Sequence, residues 1–266
     1  MFRWFLKLEA EHKVFSNKRV ADLGPQGLSH SGGPGVSLRD RFPPESKGSD
    51  LYELLGCAEY RAYDLFDQRA EKCDFNDPPR GDGSFDVVTN FGTSEHVFNQ
   101  AAVMRFAHEL MKPGGVFLCS LPSAGGRDHG LFNYQPSFFW SLAIANDYQI
   151  LTFDYFPFYA QQNKVPDEVA SVDLLTSTRW KDFRSFTDEG AVKKASLRLF
   201  LKPKILLMNL RIVWKCIRYP QHGFGPFFDE YKTGDYVHVA LRKLHDKPFI
   251  MPIQGMYLNS GQRTEG

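Results

Sequence analysis

Short apolar runs that stop at a Gly, Asp or Asn, each followed by a helix-like stretch, constrain this chain more than any other feature. Arg19-Val20-Ala21-Asp22-Leu23 runs into Gly24-Pro25-Gln26-Gly27, and Glu59 to Tyr63 ends at Asp64. Phe85-Asp86-Val87-Val88-Thr89 runs into Asn90-Phe91-Gly92, and Asp74 to Pro79 reads as the end of a further strand or a turn. Val116 to Leu121 is almost continuously apolar, the pattern of a parallel strand buried on both faces. Helices fall between these runs: Asp50 to Leu55 with Ser49 as cap, Gln100 to Met111 stopped by Lys112-Pro113-Gly114-Gly115, and Phe138 to Asn146. Gln149 to Phe158 and the alternating Tyr236 to Arg242 supply two more strands. This rhythm predicts an α/β fold with a doubly wound, mostly parallel sheet.

Other segments depart from it. Residues 1–18 read as a short amphipathic helix, and residues 247–266 as a Pro-containing tail. Residues 29–48 are rich in Ser, Gly, Pro and charge; so long a loop in a compact domain marks a lid or a mobile segment. Residues 160–232 read as a helical, basic insertion that separates the sheet-forming stretch 19–159 from its last strand within 233–246. Ala191 to Tyr219 carries Lys193, Lys194, Arg198, Lys202, Lys204, Arg211, Lys215 and Arg218 without a single acid, interleaved with Leu, Ile and Val. Peripheral contact with a membrane surface would use such residues; a packed helical cap with solvated basic heads is the simpler account.

A formal charge of +1 removes any global field toward nucleic acid, so no nucleic-acid partner is expected. Cys57, Cys73, Cys119 and Cys216 are scattered without a C-x-x-C pair. Neither a metal site nor a disulfide framework is expected, and the cytoplasm is the expected location. No apolar run is long enough for a spanning helix, and the first residues lack the apolar core of a secretion signal.

In open α/β sheets ligands bind beyond the carboxyl ends of the strands. There the chain places an acid beside an imidazole, Glu95-His96, after Asn90-Phe91-Gly92. A helix-start acid beside a structural histidine would look the same.

Taken in order, these pieces resemble a class I S-adenosylmethionine-dependent methyltransferase, from about Arg19 to Phe158 with Tyr236 to Arg242 as the last strand. Val20-Ala21-Asp22-Leu23-Gly24 is similar to that family's first motif, and Leu110-Met111-Lys112-Pro113-Gly114-Gly115 to its "L-x-K-P-G-G". Asp74-Phe75-Asn76, Phe85 to Val88, Gly92 to Asn99, and His129-Gly130 through Pro136 resemble a bacterial subgroup marked by "G-T-x-E-H-V-F-N". The resemblance implies a Rossmann-like, seven-stranded sheet whose last strand is antiparallel, and S-adenosyl-L-methionine as cofactor. It implies a cofactor site of Asp22, Gly24, Pro25, Gln26, Asp64, Leu65, Asp74, Phe75, Asn90, Phe91, Gly92 and Glu95. Asp64 would bind the ribose hydroxyls, Asp74 the adenine amine and Phe75 the adenine ring. Asn133 and Tyr134 would meet the acceptor, and His129 or His96 would serve as general base.

Those expectations amount to O-methylation of a small molecule or saccharide by in-line displacement. The first turn departs from the family's G-x-G-x-G, with Gln26 where a glycine is usual, and the step from Asp22 to Asp64 is long. A non-catalytic methyltransferase-like partner domain therefore stays open. A nicotinamide enzyme is disfavoured because G-x-G-x-x-G is absent.

Overall fold

The structure, a computed structural model, describes residues 2–26, 46–124, 130–156, 172–173 and 235–253. The chain divides into two compact units, Met1–Val172 with Gly234–Gly266, and Asp173–Thr233. Most of the expected basic insertion, including 191–219, lies outside the described residues, as do most of the 29–48 loop and the end of the tail.

Strands β1 (Arg19–Leu23), β2 (Glu59–Asp64), β3 (Glu71–Lys72), β4 (Phe85–Phe91), β5 (Met111–Ala124), β6 (Tyr148–Phe156), β7 (Val172–Asp173) and β8 (Asp235–Lys243) form one sheet. Its order is β3-β2-β1-β4-β5-β8-β6-β7. The first five strands run parallel, and β8 is antiparallel to both β5 and β6. This is the mostly parallel, Rossmann-like sheet with an antiparallel last strand, extended at its edge by the two-residue β7.

Register divides the side chains between two faces, because successive residues of a strand point to opposite sides. Val20, Val87, Val116, Leu118 and Ala240 belong to one face, and helices α1 (Phe2–His12) and α2 (Gly48–Leu54) share their core cluster. Trp4, Phe5 and Leu8 of α1 and Leu51 and Tyr52 of α2 enter it. Helix α1 follows the expected amphipathic pattern. At its end Lys13 turns into the left-handed region at φ 52, and Glu9 Oε2 accepts the amide of Phe15 at 2.7 Å. Helices α3 (Gln100–Leu110) and α4 (Pro136–Ala145) supply the buried residues Phe106, Leu110, Phe139 and Leu142.

Two element ends differ from the sequence expectation. Helix α2 starts at Gly48, with Lys47 at its cap in place of Ser49, because the Asp50 carboxylate accepts the Lys47 amide at 2.8 Å. Strand β5 begins at Met111, straight out of α3, because Met111 pairs with Phe85. The next aligned pair is Val87 with Val116, so Lys112 to Gly115 bulge from the ladder. Lys112 Nζ then reaches Asp86 Oδ1 at 2.6 Å. A Cβ on Gly115 would meet the Lys112 carbonyl at 2.9 Å, so only glycine fits there.

Candidate functional site

Because β2, β1 and β4 are adjacent and parallel, their carboxyl ends share one edge of the sheet. Gly24, Asp64 and the Asn90–Glu95 stretch meet there. Gly24 leaves β1 at φ 86, and its amide bonds to the Tyr63 carbonyl of β2 at 2.9 Å. A Cβ at this position would lie 2.1 Å from Thr93 Oγ1, so the turn demands glycine on both conformational and steric grounds. The Gln26 side-chain amide folds back to the Gly24 carbonyl at 3.1 Å, and the Gln26 carbonyl accepts the Gly48 amide at 2.8 Å. Arg69 adds a bond to the Pro25 carbonyl at 3.2 Å.

Beneath the turn Asp22 is fully buried. Its Oδ1 accepts from Thr89 Oγ1 at 2.6 Å and its Oδ2 from the Tyr60 hydroxyl at 2.9 Å. Tyr52 donates in turn to Thr89 Oγ1 at 3.3 Å. Burial raises the Asp22 carboxyl to about 7, against the pull of the Thr89 and Tyr60 hydroxyls and the Gln26 amide. Asp22 thus anchors the turn from below. Thr89 and Tyr60, which sequence reasoning passed over, hold Asp22; β-strand register alone would have put Thr89 beside it.

Asp64 closes β2. Its Oδ1 accepts the amides of Phe66 at 2.7 Å and Asp67 at 2.9 Å, which fixes the turn after the strand. Its second oxygen has no hydrogen-bond partner among the described residues. Leu65 beside it is half-buried. Asp74 is exposed and its Oδ1 takes the Asn76 amide at 2.8 Å. Phe75, expected against the adenine, is 5% exposed, with its ring 6.2 Å from Phe106.

At the end of β4 the buried Asn90 caps a 3₁₀ turn, Ser94–His96: its Oδ1 accepts the Ser94 amide at 3.1 Å and its Nδ2 donates to Ser94 Oγ at 2.8 Å. Phe91 packs on Phe5 of α1, with ring centroids 5.3 Å apart, and Gly92 turns at φ 77. Glu95 is buried, and burial raises its carboxyl to about 7. Its carbonyl accepts the Leu131 amide at 2.7 Å, which ties the loop after β5 to this turn. His96 is exposed, with Nε2 4.0 Å from Glu95 Oε1.

Tyr134 completes that tie. It is buried, its amide bonds to the Pro122 carbonyl at 2.7 Å, and its hydroxyl lies 2.8 Å from Ser94 Oγ. Its neighbour Asn133 is exposed. His129 lies outside the described residues.

The arrangement suits a ligand laid across three strand ends. A fixed glycine turn supports it from below, the Asp64 carboxylate oxygen can take hydroxyls at one side, and a buried acid waits at the other. Residues 15–161 match the family model described as "Methyltransferase domain". A Mycolicibacterium smegmatis protein named as an S-adenosylmethionine-dependent methyltransferase is 43% identical over 54 residues, 19% of this chain. The match spans 21% of that relative, about a fifth of its length. Among solved structures, a candidate methyltransferase from Bacillus halodurans is 14% identical, with a TM-score of 0.44 over 90% of this chain and 98% of its own. Haemonchus contortus phosphoethanolamine N-methyltransferase 2, solved with S-adenosyl-L-methionine, is 14% identical, with a TM-score of 0.41 over 92% of this chain and 53% of its own.

Proposed function

Since this chain belongs to the methyltransferase-domain family, we propose that it transfers the methyl group of S-adenosyl-L-methionine to a hydroxyl of a small molecule or saccharide. What supports the reading is one juxtaposition inside the matched residues: the Gly24 turn, Asp64 and Glu95 on adjacent parallel strand ends. When bound, the cofactor supplies a methyl on a positively charged sulfur, open to in-line displacement.

The protein's own part is to hold and orient. Asp64 offers its second oxygen to the ribose hydroxyls, with Leu65 beside it against the nucleoside. Asp74 takes the adenine amine. Gly24, Pro25 and Gln26 carry the amino-acid end over Asp22, and Asn90, Phe91 and Gly92 form the facing wall. Glu95, buried and poised near neutrality, compensates the positive charge. Asn133 and Tyr134 border the acceptor side, the latter by fixing the loop. His96 and His129 are the bases that the family resemblance offers.

A second reading has one observation in its favour. The Gln26 amide is bonded back onto the Gly24 carbonyl, as suits a turn that has closed on itself in a non-catalytic partner domain.

Calorimetric titration with S-adenosylmethionine and S-adenosylhomocysteine separates the two. Dissociation constants of about 1 mM or tighter, more than 4 kcal/mol of binding, support the enzyme; no heat with either ligand supports the partner domain.

A further inference from the structure

Strand β8 carries a histidine, His238, that the site described so far does not use. Register sets it opposite Ser120 of β5 on one side and Asp154 of β6 on the other, with Phe91 of β4 next in the same row. It therefore stands at the carboxyl end of the parallel strands, about 10 Å or two strand spacings from β4. The face it occupies is the one that α1 covers. Its ring lies between Phe156, with centroids 4.3 Å apart, and Trp4, at 5.2 Å.

His238 is 6% exposed, and its Nδ1 has no hydrogen-bond partner among the described residues. An unsatisfied buried ring nitrogen costs about 1–3 kcal/mol, and a phenylalanine would fill much the same space without that cost. A histidine kept at such a position points to a partner that arrives with a ligand. Tyr236, two residues earlier on the same face, is partly exposed, and the Glu95 charge adds to burial in raising its hydroxyl. The β8 face is thus continuous with the edge where Glu95 stands.

We propose that His238 Nδ1 is the base of the acceptor site, receiving the hydroxyl hydrogen of a ring-bearing acceptor that lodges among Trp4, Phe91, Phe156 and Tyr236. This rests on the methyl-transfer reading above. The acceptor oxygen forms its bond to the methyl carbon while the carbon–sulfur bond breaks and leaves its electron pair on sulfur. The hydroxyl proton passes to Nδ1 and then to water. Burial holds the imidazole well below its ordinary pKa, so the ring is neutral, and with its one hydrogen on Nε2 the Nδ1 lone pair is the one that accepts. Aromatic walls suit a flat ring, and both a phenol and the apolar face of a sugar present one. Access requires Trp4 to leave Thr152, whose Oγ1 its indole N–H now meets at 2.8 Å.

The test uses the full chain, wild type and His238→Phe, each saturated with S-adenosylhomocysteine and titrated with 4-nitrophenol and, separately, with methyl glucoside. In protein labelled with ¹⁵N-histidine, the Nδ1 resonance absent from H238F identifies His238. The expected result is that one probe binds wild type and moves that resonance, the probe that does so naming a phenol or a sugar. H238F should bind S-adenosylhomocysteine normally, melt no lower than wild type and bind the probe at least about tenfold more weakly. If H238F does not fold, His238→Gln is read by the same probe titration. Probe binding unchanged in the variant, or no binding of either probe to wild type, overturns this proposal alone. Failure of wild type to bind S-adenosylhomocysteine overturns the methyl-transfer reading and this proposal with it.

Discussion

Two carboxyls sit where water does not reach them, and both are raised to about 7 by burial. For Asp22 and Glu95 alike the folded state holds a proton that the unfolded chain has already lost above the ordinary carboxyl range. Their contribution to stability is therefore present at acid pH and fades as pH climbs through about 7. Binding a cation beside Glu95 expels its proton, so affinity for S-adenosylmethionine should rise with pH through about 7. Calorimetry in two buffers of different ionisation heat should show proton release, and Glu95→Gln should abolish it. Asp64→Ala should weaken the cofactor by about tenfold or more, since hydrogen bonds to a charged group contribute about 1.5–3 kcal/mol; wild-type affinity would remove Asp64 from the site. The positions of Asp22 and Asp64 at strand ends, and of Glu95 in the turn just past β4, were legible in the sequence because each follows a strand-like run. His238 was not. In an alternating strand a histidine reads as any polar position, and only the packing of α1 turns its side of β8 into a buried one.

The β1 turn is the element whose geometry is least forgiving. Gly24→Ala places a side chain at φ 86 and against Thr93. The backbone term alone is about 1–3 kcal/mol, which for a chain of this size lowers the melting temperature by several degrees. Adding Thr93→Ala should recover the steric part and leave the backbone part. Melting curves of the single and double variants measure both, and equal midpoints would show that Thr93 does not press on the turn. Strand β1 was readable to its last residue because its apolar run ends at that turn. Strand β5 was not: Pro and Gly after α3 read as a stop, yet Met111 pairs at once and the breaker residues bulge aside. Phe75 was expected at the adenine; in the fold its ring lies 6.2 Å from that of Phe106.

On the scale of the whole molecule, one helix from the chain's beginning completes the core of the sheet. Trp4, Phe5 and Leu8 are 5%, 1% and 0% exposed. Removing a buried aromatic costs about 3–5 kcal/mol, so Trp4→Ala with Phe5→Ala approaches the whole stability of a typical domain, about 5–15 kcal/mol. Denaturant unfolding of the double variant should lose its cooperative step; a shift of less than about 2 kcal/mol would mean that α1 is dispensable. A core shared by the first helix and the last strand has a further effect. Strand β8 lies between β5 and β6, although at least 78 residues separate it from either in sequence. On the ribosome β5 and β6 emerge first, each with an open edge facing the space that β8 will fill. Such edges invite pairing with other chains. Synthesis therefore carries a window, between the appearance of residue 156 and that of residue 243, in which chaperones have the most to protect.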